Sequence, residues 1–229
     1  MKGRTFVVGD IHGAYRALKQ CLERAGFRYE VDNLICLGDV ADGWPETKQA
    51  VEELMKIKNL TYLLGNHDFW TLEWLDTGFA ESAWMEQGGL ATIASYAEAR
   101  PVEHAAFFRE ARPYFVQEGK LFVHAGVLPG KKLTQQTLQV FLWDRTLARM
   151  AQDFHQKNLT KQITEFDEVY IGHTPIDSHE PQQYCEVWMM DTGAGWSGVL
   201  SIMDVATKEK FVSDAVPLLY PGVEGRQRK

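Results

Sequence analysis

The sequence predicts an α/β domain, and three observations carry that prediction. Short apolar runs at 5–8, 34–37, 61–64, 121–123 and 169–171 suit buried strands. Each run stops where a motif bearing carboxylate, imidazole or amide side chains begins, as at the strand-end crevice of an open α/β sheet. Helical patterns separate the first three runs, so residues 5–64 have the β-α-β-α-β order that opens a parallel sheet.

Taken in order, Thr5–Val8 leads into Gly9-Asp10-Ile11-His12-Gly13. The helix expected over 14–25 gathers Leu18, Cys21, Leu22 and Ala25 on one side. The second strand runs into Gly38-Asp39-Val40-Ala41-Asp42. Pro45 suits a first helical position ahead of 46–57, with Val51, Leu54, Met55 and Ile57 expected inward. The third strand runs into Gly65-Asn66-His67-Asp68. Residues 69–116 form a mostly helical, aromatic-rich insertion that either caps or flanks the site. In the plainer view, its aromatic side chains pack the insertion onto the sheet. The fourth and fifth strands lead into His124-Ala125-Gly126 and Gly172-His173-Thr174. Beyond them, 186–190, 199–203 and 210–213 are expected as antiparallel strands, with 204–208 as a hairpin connection. There is no internal repeat, low-complexity tract or linker, which favours a single domain over 1–229.

With 229 residues, 45% of them hydrophobic and 24% charged, the composition is that of a soluble globular chain with a sizeable core. A formal charge of −7 argues against stable nucleic-acid binding, because phosphates reward basic surfaces. Cys21, Cys36 and Cys185 are odd in number and widely spaced, as expected of reduced thiols. No signal peptide is apparent ahead of the first strand, and no run approaches the roughly 20 apolar residues of a membrane helix. A cytoplasmic location without membrane association is therefore expected. The closing residues 225–229 are expected to be a solvated tail, with a basic targeting patch as the sharper alternative.

The motif residues supply oxygen and imidazole donors and no thiolate, a set suited to divalent transition metals. Asp10 and His12, two apart at a strand end, point the same way and can share one metal. Asp39 is the natural bridge, and Asn66, His124 and His173 would complete a second metal site. Each motif alone has a bland explanation: a turn for Gly-Asn-His, a structural histidine elsewhere. Their common order behind successive strands is what outweighs it. His104, His155 and His179 lack such a context and are expected to be surface or packing residues.

Asp10-x-His12, Gly38-Asp-x-x-Asp42, Gly65-Asn-His67, His124-Ala-Gly126 and Gly172-His173 resemble the calcineurin-like metallophosphoesterase superfamily. Within it the chain is most similar to the bacterial and phage branch of the phosphoprotein (serine/threonine) phosphatases, which neighbours the symmetrical diadenosine tetraphosphate hydrolases. The resemblance covers residues 5 to about 203, including the turn at Asp191-Thr-Gly193. It implies a central β-sandwich of mixed sheets flanked by α-helices, and two divalent ions, usually Mn2+ with iron or zinc also found. Asp10, His12 and Asp39 would hold one ion, and Asp39, Asn66, His124 and His173 the other. His67 would be the general acid, oriented by Asp42. The implied reaction is phosphomonoester hydrolysis, on a phosphorylated protein or a small phosphoester, by a hydroxide shared between the metals. A symmetrical dinucleoside polyphosphate hydrolase or phosphodiesterase is the alternative.

One departure bears on substrate. Where the family has Asp-Arg-Gly, with an arginine that binds phosphate, this chain has Asp42-Gly43-Trp44. Arg145, in Trp143-Asp144-Arg145, resembles the second phosphate-binding arginine, although a surface ion pair would serve as well for that residue. Loss of one bidentate contact penalises a dianionic monoester more than a diester. Trp44 either fills the vacated space, blocks the pocket or stacks on a substrate ring; filling is favoured. Lys131 and Lys132 either lean over an anionic substrate or form a solvated turn. A binding module descended from such an enzyme has only the missing arginine in its favour.

Overall fold

The computed structural model describes residues 3–97 and 99–226. Among the described residues, ten strands form two five-stranded sheets: β1 Thr5–Val8, β2 Asn33–Cys36, β3 Asn59–Tyr62, β4 Tyr114–Gln117, β5 Lys120–Val123, β6 Glu168–Ile171, β7 Gln182–Tyr184, β8 Val187–Met189, β9 Ser201–Asp204 and β10 Lys210–Val212. The first sheet has the order β10-β9-β1-β2-β3, parallel across β1, β2 and β3 and antiparallel at β9 and β10. The second has the order β4-β5-β6-β8-β7, with a parallel centre of β5, β6 and β8 between antiparallel edges.

Strand alternation assigns the layers. Phe6 and Val8, like Leu34 and Cys36, face the helices α1 (Tyr15–Arg24) and α2 (Thr47–Met55), whereas Val7 and Ile35 face the other sheet. In the second sheet, Val123, Val169 and Met189 face outward to the two helices Leu138–Trp143 and Thr146–Gln156. Phe122, Tyr170 and Trp188 face inward, in register across three neighbouring strands. Their rings stack, Phe122 on Tyr170 at 4.7 Å and Tyr170 on Trp188 at 6.4 Å. The runs are apolar on both faces because both faces are covered.

The insertion comprises helices at Asn66–Thr77, Val102–Arg109 and, between them, a short helical stretch with a π-turn at Met85–Gly89 leading into Leu90–Ser95. It ends earlier than the sequence suggests, since Tyr114–Gln117 is an edge strand. Three further differences are small. The 186–190 strand is parallel to β6 and antiparallel only to β7. The third strand lies two residues earlier than its apolar run, because Asn59–Tyr62 supplies the pairing with β2. Met55 is 43% exposed at the end of α2 rather than inward.

Asp32 fastens the entries to β1 and β2. Its buried carboxylate accepts backbone N–H groups of Arg4 at 2.8 Å and Arg28 at 2.9 Å, and the Arg28 guanidinium at 2.6 Å. Burial opposes ionisation, but the Arg28 side chain and these N–H groups outweigh it and hold the acid at about 2. A carboxyl held low stabilises the fold above its ordinary range near 4 and loses that contribution as pH falls through its folded value. Asp32→Asn is expected to cost about 1–2 kcal/mol near neutrality, allowing for solvent around Arg28. The difference from wild type in urea unfolding should fall to about half by about pH 3. A difference that stayed constant with pH would assign the loss to packing.

Candidate metal centre

All six expected ligands come together where the two sheets meet. Asp10 and His12 follow β1, Asp39 follows β2, Asn66 opens the helix after β3, His124 follows β5 and His173 follows β6. Each sheet therefore contributes, the first through four residues and the second through His124 and His173. The loops are sewn together by the backbone. Ile11 and His12 donate to Asp39 O, both at 2.9 Å, and Gly13 donates to Val40 O. His173 N–H donates to Asp10 Oδ2 at 2.9 Å, and His67 N–H to Asp39 Oδ1 at 2.9 Å. These approaches leave no room for side chains at two glycines. A Cβ on Gly65 would lie 2.1 Å from Asp39 Oδ1, and one on Gly172 would lie 2.0 Å from Asp10 Oδ1.

Four site residues hold left-handed backbone: His12, Asp39, Asp42 and His173, with φ of 51°, 51°, 74° and 60°. Outside glycine this region is sparsely populated, and it persists where the surroundings over-determine it. Asp68 is one such determinant; it closes the third motif, where the sequence assigns it no role. Its buried carboxylate accepts the N–H groups of Asp39 at 2.7 Å, Val40 at 3.0 Å and Gly65 at 3.0 Å, and so fixes the second and third loops together.

Donor atoms converge as a metal would require. His12 Nδ1 faces Ala41 O at 3.0 Å and His124 Nδ1 faces Leu37 O at 2.9 Å. Those carbonyls accept hydrogen bonds from Nδ1–H and leave each Nε2 as a lone-pair donor, the usual arrangement behind a metal-bound imidazole. His124 Nε2 lies 3.0 Å from Asn66 Oδ1 and 3.4 Å from Asp39 Oδ2. His12 Nε2 lies 3.8 Å from Asp39 Oδ2 and 4.0 Å from Asp10 Oδ2. Ligands about 2.1 Å from one ion stand roughly 3–4 Å from each other, so both sets fit. His173 Nε2 is buried without a hydrogen-bond partner, as expected of an atom reserved for a cation. Asp39, His124 and His173 form one group of mutually close donors, and Asp39 with His12 and His67 forms another.

Electrostatics agree with the donor geometry. Burial, then the neighbouring carboxylates, push the Asp10 and Asp39 carboxyls well above their usual range. Burial pushes His12 and His173 well below theirs, and His124 down to about 3. Neutral imidazoles and crowded acids are a poor arrangement in isolation and a favourable one around a divalent cation, which reverses the local field.

Beside this cluster, His67 Nδ1 lies 2.6 Å from Asp42 Oδ2. Asp42 is fully buried and is also held by the insertion: Trp84 Nε1 donates at 2.6 Å and Thr92 Oγ1 at 2.7 Å. Burial raises its carboxyl to about 7 against those hydrogen bonds. Trp84 and Thr92 lie 42 and 50 residues from Asp42, and no local pattern marks either one. The insertion therefore flanks the site and positions a site carboxylate.

The surrounding cavity, about 350 Å³, is lined also by Trp70, Trp143, Arg145, Trp196 and Arg226. Arg145 stands exposed at its edge, its guanidinium 3.4 Å from His173 O. Trp44 is 1% exposed, bonded to Ala194 O at 2.7 Å and stacked on Tyr220 at 5.1 Å; it fills space and presents no face to a ligand. Lys131 and Lys132 are exposed and line a different cavity. His104 is a packing residue bonded to Tyr96. The expectation of a solvated tail fails for Gly225 and Arg226, which dock at the site through Arg226 N–H to Gly195 O at 2.9 Å. Residues 227–229 lie outside the described residues.

Two mixed sheets that offer a carboxylate–imidazole cluster at their common edge define a metallophosphoesterase. The chain belongs to the calcineurin-like phosphoesterase family, whose profile matches residues 3–193, and it is a hydrolase acting on phosphoesters. It is 24% identical to the symmetrical bis(5'-nucleosyl)-tetraphosphatase of Neisseria meningitidis serogroup A, over 89% of this chain and 93% of that one. It is 25% identical to serine/threonine-protein phosphatase 1 of Salmonella typhimurium, over 86% and 89% of the two chains. The crystal structure of a candidate diadenosine tetraphosphatase superposes with a TM-score of 0.67 at 19% identity, covering 93% of each chain. No helix among the described residues is long and apolar enough to cross a membrane.

Proposed function

We propose that the protein is a symmetrical dinucleoside polyphosphate hydrolase. The observation that carries this reading is the half-buried pair Trp70 and Trp143, edge to face at 6.1 Å on the rim of the metal cavity. A space of about 350 Å³ suits phosphoryl groups rather than a whole dinucleotide, so the nucleosides would lie outside it. Aromatic faces at the rim are what a base would stack on. The likeness to the Neisseria tetraphosphatase supports the same choice.

In this reading Asp10, His12 and Asp39 hold one ion, and Asp39, Asn66, His124 and His173 a second, with Mn2+ the preferred metal. When bound, the ions supply Lewis acidity and an activated water. The chain's own residues do the rest. Arg145 binds a phosphoryl oxygen at the mouth. Asp42 holds His67 through Nδ1, and the pair in its protonated form carries a hydrogen on Nε2 that is delivered to the departing oxygen, leaving the pair one proton short until water restores it.

Incubation with diadenosine tetraphosphate and Mn2+ should give ADP as the sole nucleotide product, because symmetrical hydrolysis breaks the central P–O–P bond. ATP with AMP, or no turnover at high enzyme concentration, would sink the reading. A phosphomonoesterase of the serine/threonine phosphatase kind is the second reading. The likeness to the Salmonella enzyme and the position of Arg145 favour it. A strong preference for an aryl monoester over the dinucleotide would select it.

A further inference from the structure

Arg226 enters the metal cavity from the far end of the chain. Its guanidinium lies over the Trp196 ring at 4.7 Å, and its Nη1 stands 3.1 Å from His12 Nε2. Its stem crosses two glycines. A Cβ on Gly43 would lie 3.0 Å from Arg226 Cγ, and one on Gly88 would lie 3.2 Å from the same atom. Gly43 is the position at which the motif lacks its arginine, so one bare backbone position carries the aliphatic part of a different arginine.

We propose that Arg226 is the second phosphate-binding guanidinium of this site, delivered by the C-terminal segment across Gly43 to act with Arg145. This rests on a phosphoryl group being bound in that cavity. The nitrogen that Arg226 touches, His12 Nε2, is assigned above to a metal. A lone pair claimed by a cation can no longer accept from the guanidinium, which then needs a new acceptor. Phosphoryl oxygens are the acceptors the reaction brings, and the planar fork of five N–H donors matches them two at a time. The segment is placed for this task rather than adrift: Arg226 N–H is tied to Gly195 O, and Trp196 shields one face of the guanidinium. The cavity also holds the carboxylates of Asp10 and Asp39, so a positive fork there offsets the repulsion an anionic ester would meet.

The test compares full-length, Mn2+-loaded wild type with Arg226→Ala and Arg226→Lys. Inorganic phosphate affinity is measured by titration calorimetry, bound manganese by elemental analysis, and KM and kcat with an aryl phosphate and diadenosine tetraphosphate. Arg226→Ala should weaken phosphate binding about tenfold to a hundredfold with the metal content unchanged, as expected when a bidentate charged contact is lost. Arg226→Lys should recover only part of the loss, because it keeps the charge and not the fork. Phosphate affinity within twofold of wild type would leave Arg226 as a tail anchor and overturn the proposal. Tighter manganese binding and faster turnover in Arg226→Ala would also overturn it, making the arginine a competitor for the metal site. So would a wild type that binds no phosphate. Phosphate binding does not depend on which ester is cleaved, so failure to hydrolyse the dinucleotide would count against that substrate alone.

Discussion

Replacement of His67 by Ala is expected to lower kcat about 10²–10⁴-fold on an alkyl phosphate, the usual contribution of a positioned general acid. Bound manganese should remain near the wild-type level. The two readouts separate alternatives that geometry leaves side by side, since His67 lies close enough to His12 and Asp39 to serve as a ligand. Its Nδ1 is committed to Asp42 at 2.6 Å, and an acid so oriented presents a single nitrogen to the cavity. The deficit should depend on the leaving group. An alkoxide needs the proton badly, whereas a phenolate or the terminal phosphate of ADP departs with little help. A uniform loss across leaving groups, accompanied by loss of metal, would make His67 a ligand. Full turnover of an alkyl phosphate would remove it from the chemistry.

Asp39→Ala is expected to have the broader effect. Its carboxylate belongs to both groups of converging donors, and Oδ1 also accepts the His67 N–H at 2.9 Å. Loss of the shared ligand should reduce manganese below one ion per chain and lower kcat/KM by at least about 10³-fold, the equivalent of the several kcal/mol that a Lewis acid supplies. Elemental analysis of protein exchanged into metal-free buffer measures the first quantity. Two retained ions per chain would show that Asp39 does not bridge. Excess manganese should restore little, because the third loop loses an anchor together with the ligand.

Much of this site was legible because each ligand sits beside a strong local signal. Val7-Val8, Ile35-Cys36 and Tyr170-Ile171 are strand interiors buried on both faces, and the residues after them have nowhere to go but the sheet's edge. What stayed hidden depends on partners distant in sequence. Trp84 looks like any core aromatic until its indole N–H is found on Asp42. Arg226 lies in a polar, charged terminal stretch, and its contacts with Gly195 and His12 exist only once β9, β10 and the final turn have folded back. The orientation of β8 is not legible from the sequence because Val187–Met189 is apolar on both faces, a pattern shared by central parallel strands and covered antiparallel ones. The sequence around Trp44 could equally have presented or buried an indole; Tyr220 and Ala194 decide it.

The division of ligands between the two sheets has a consequence for how variants are interpreted. Asp10, His12, Asp39 and Asn66 belong to one layer and His124 and His173 to the other, so in the proposed ligand set a cation held by Asp39, Asn66, His124 and His173 would tie the halves of the sandwich as a clasp. Any ligand that binds only the folded chain raises its stability, by about 2.7 kcal/mol at a hundredfold excess over its dissociation constant. A lesion in the clasp therefore lowers two quantities at once, turnover per molecule and the number of molecules that escape proteolysis. In cells these merge into one deficit. A phenotype at Asp39 or His173 measured in an extract would exaggerate the residue's chemical role unless it is normalised to the amount of folded protein. The same lesion in Arg145, which ties nothing across the seam, would be free of that confusion.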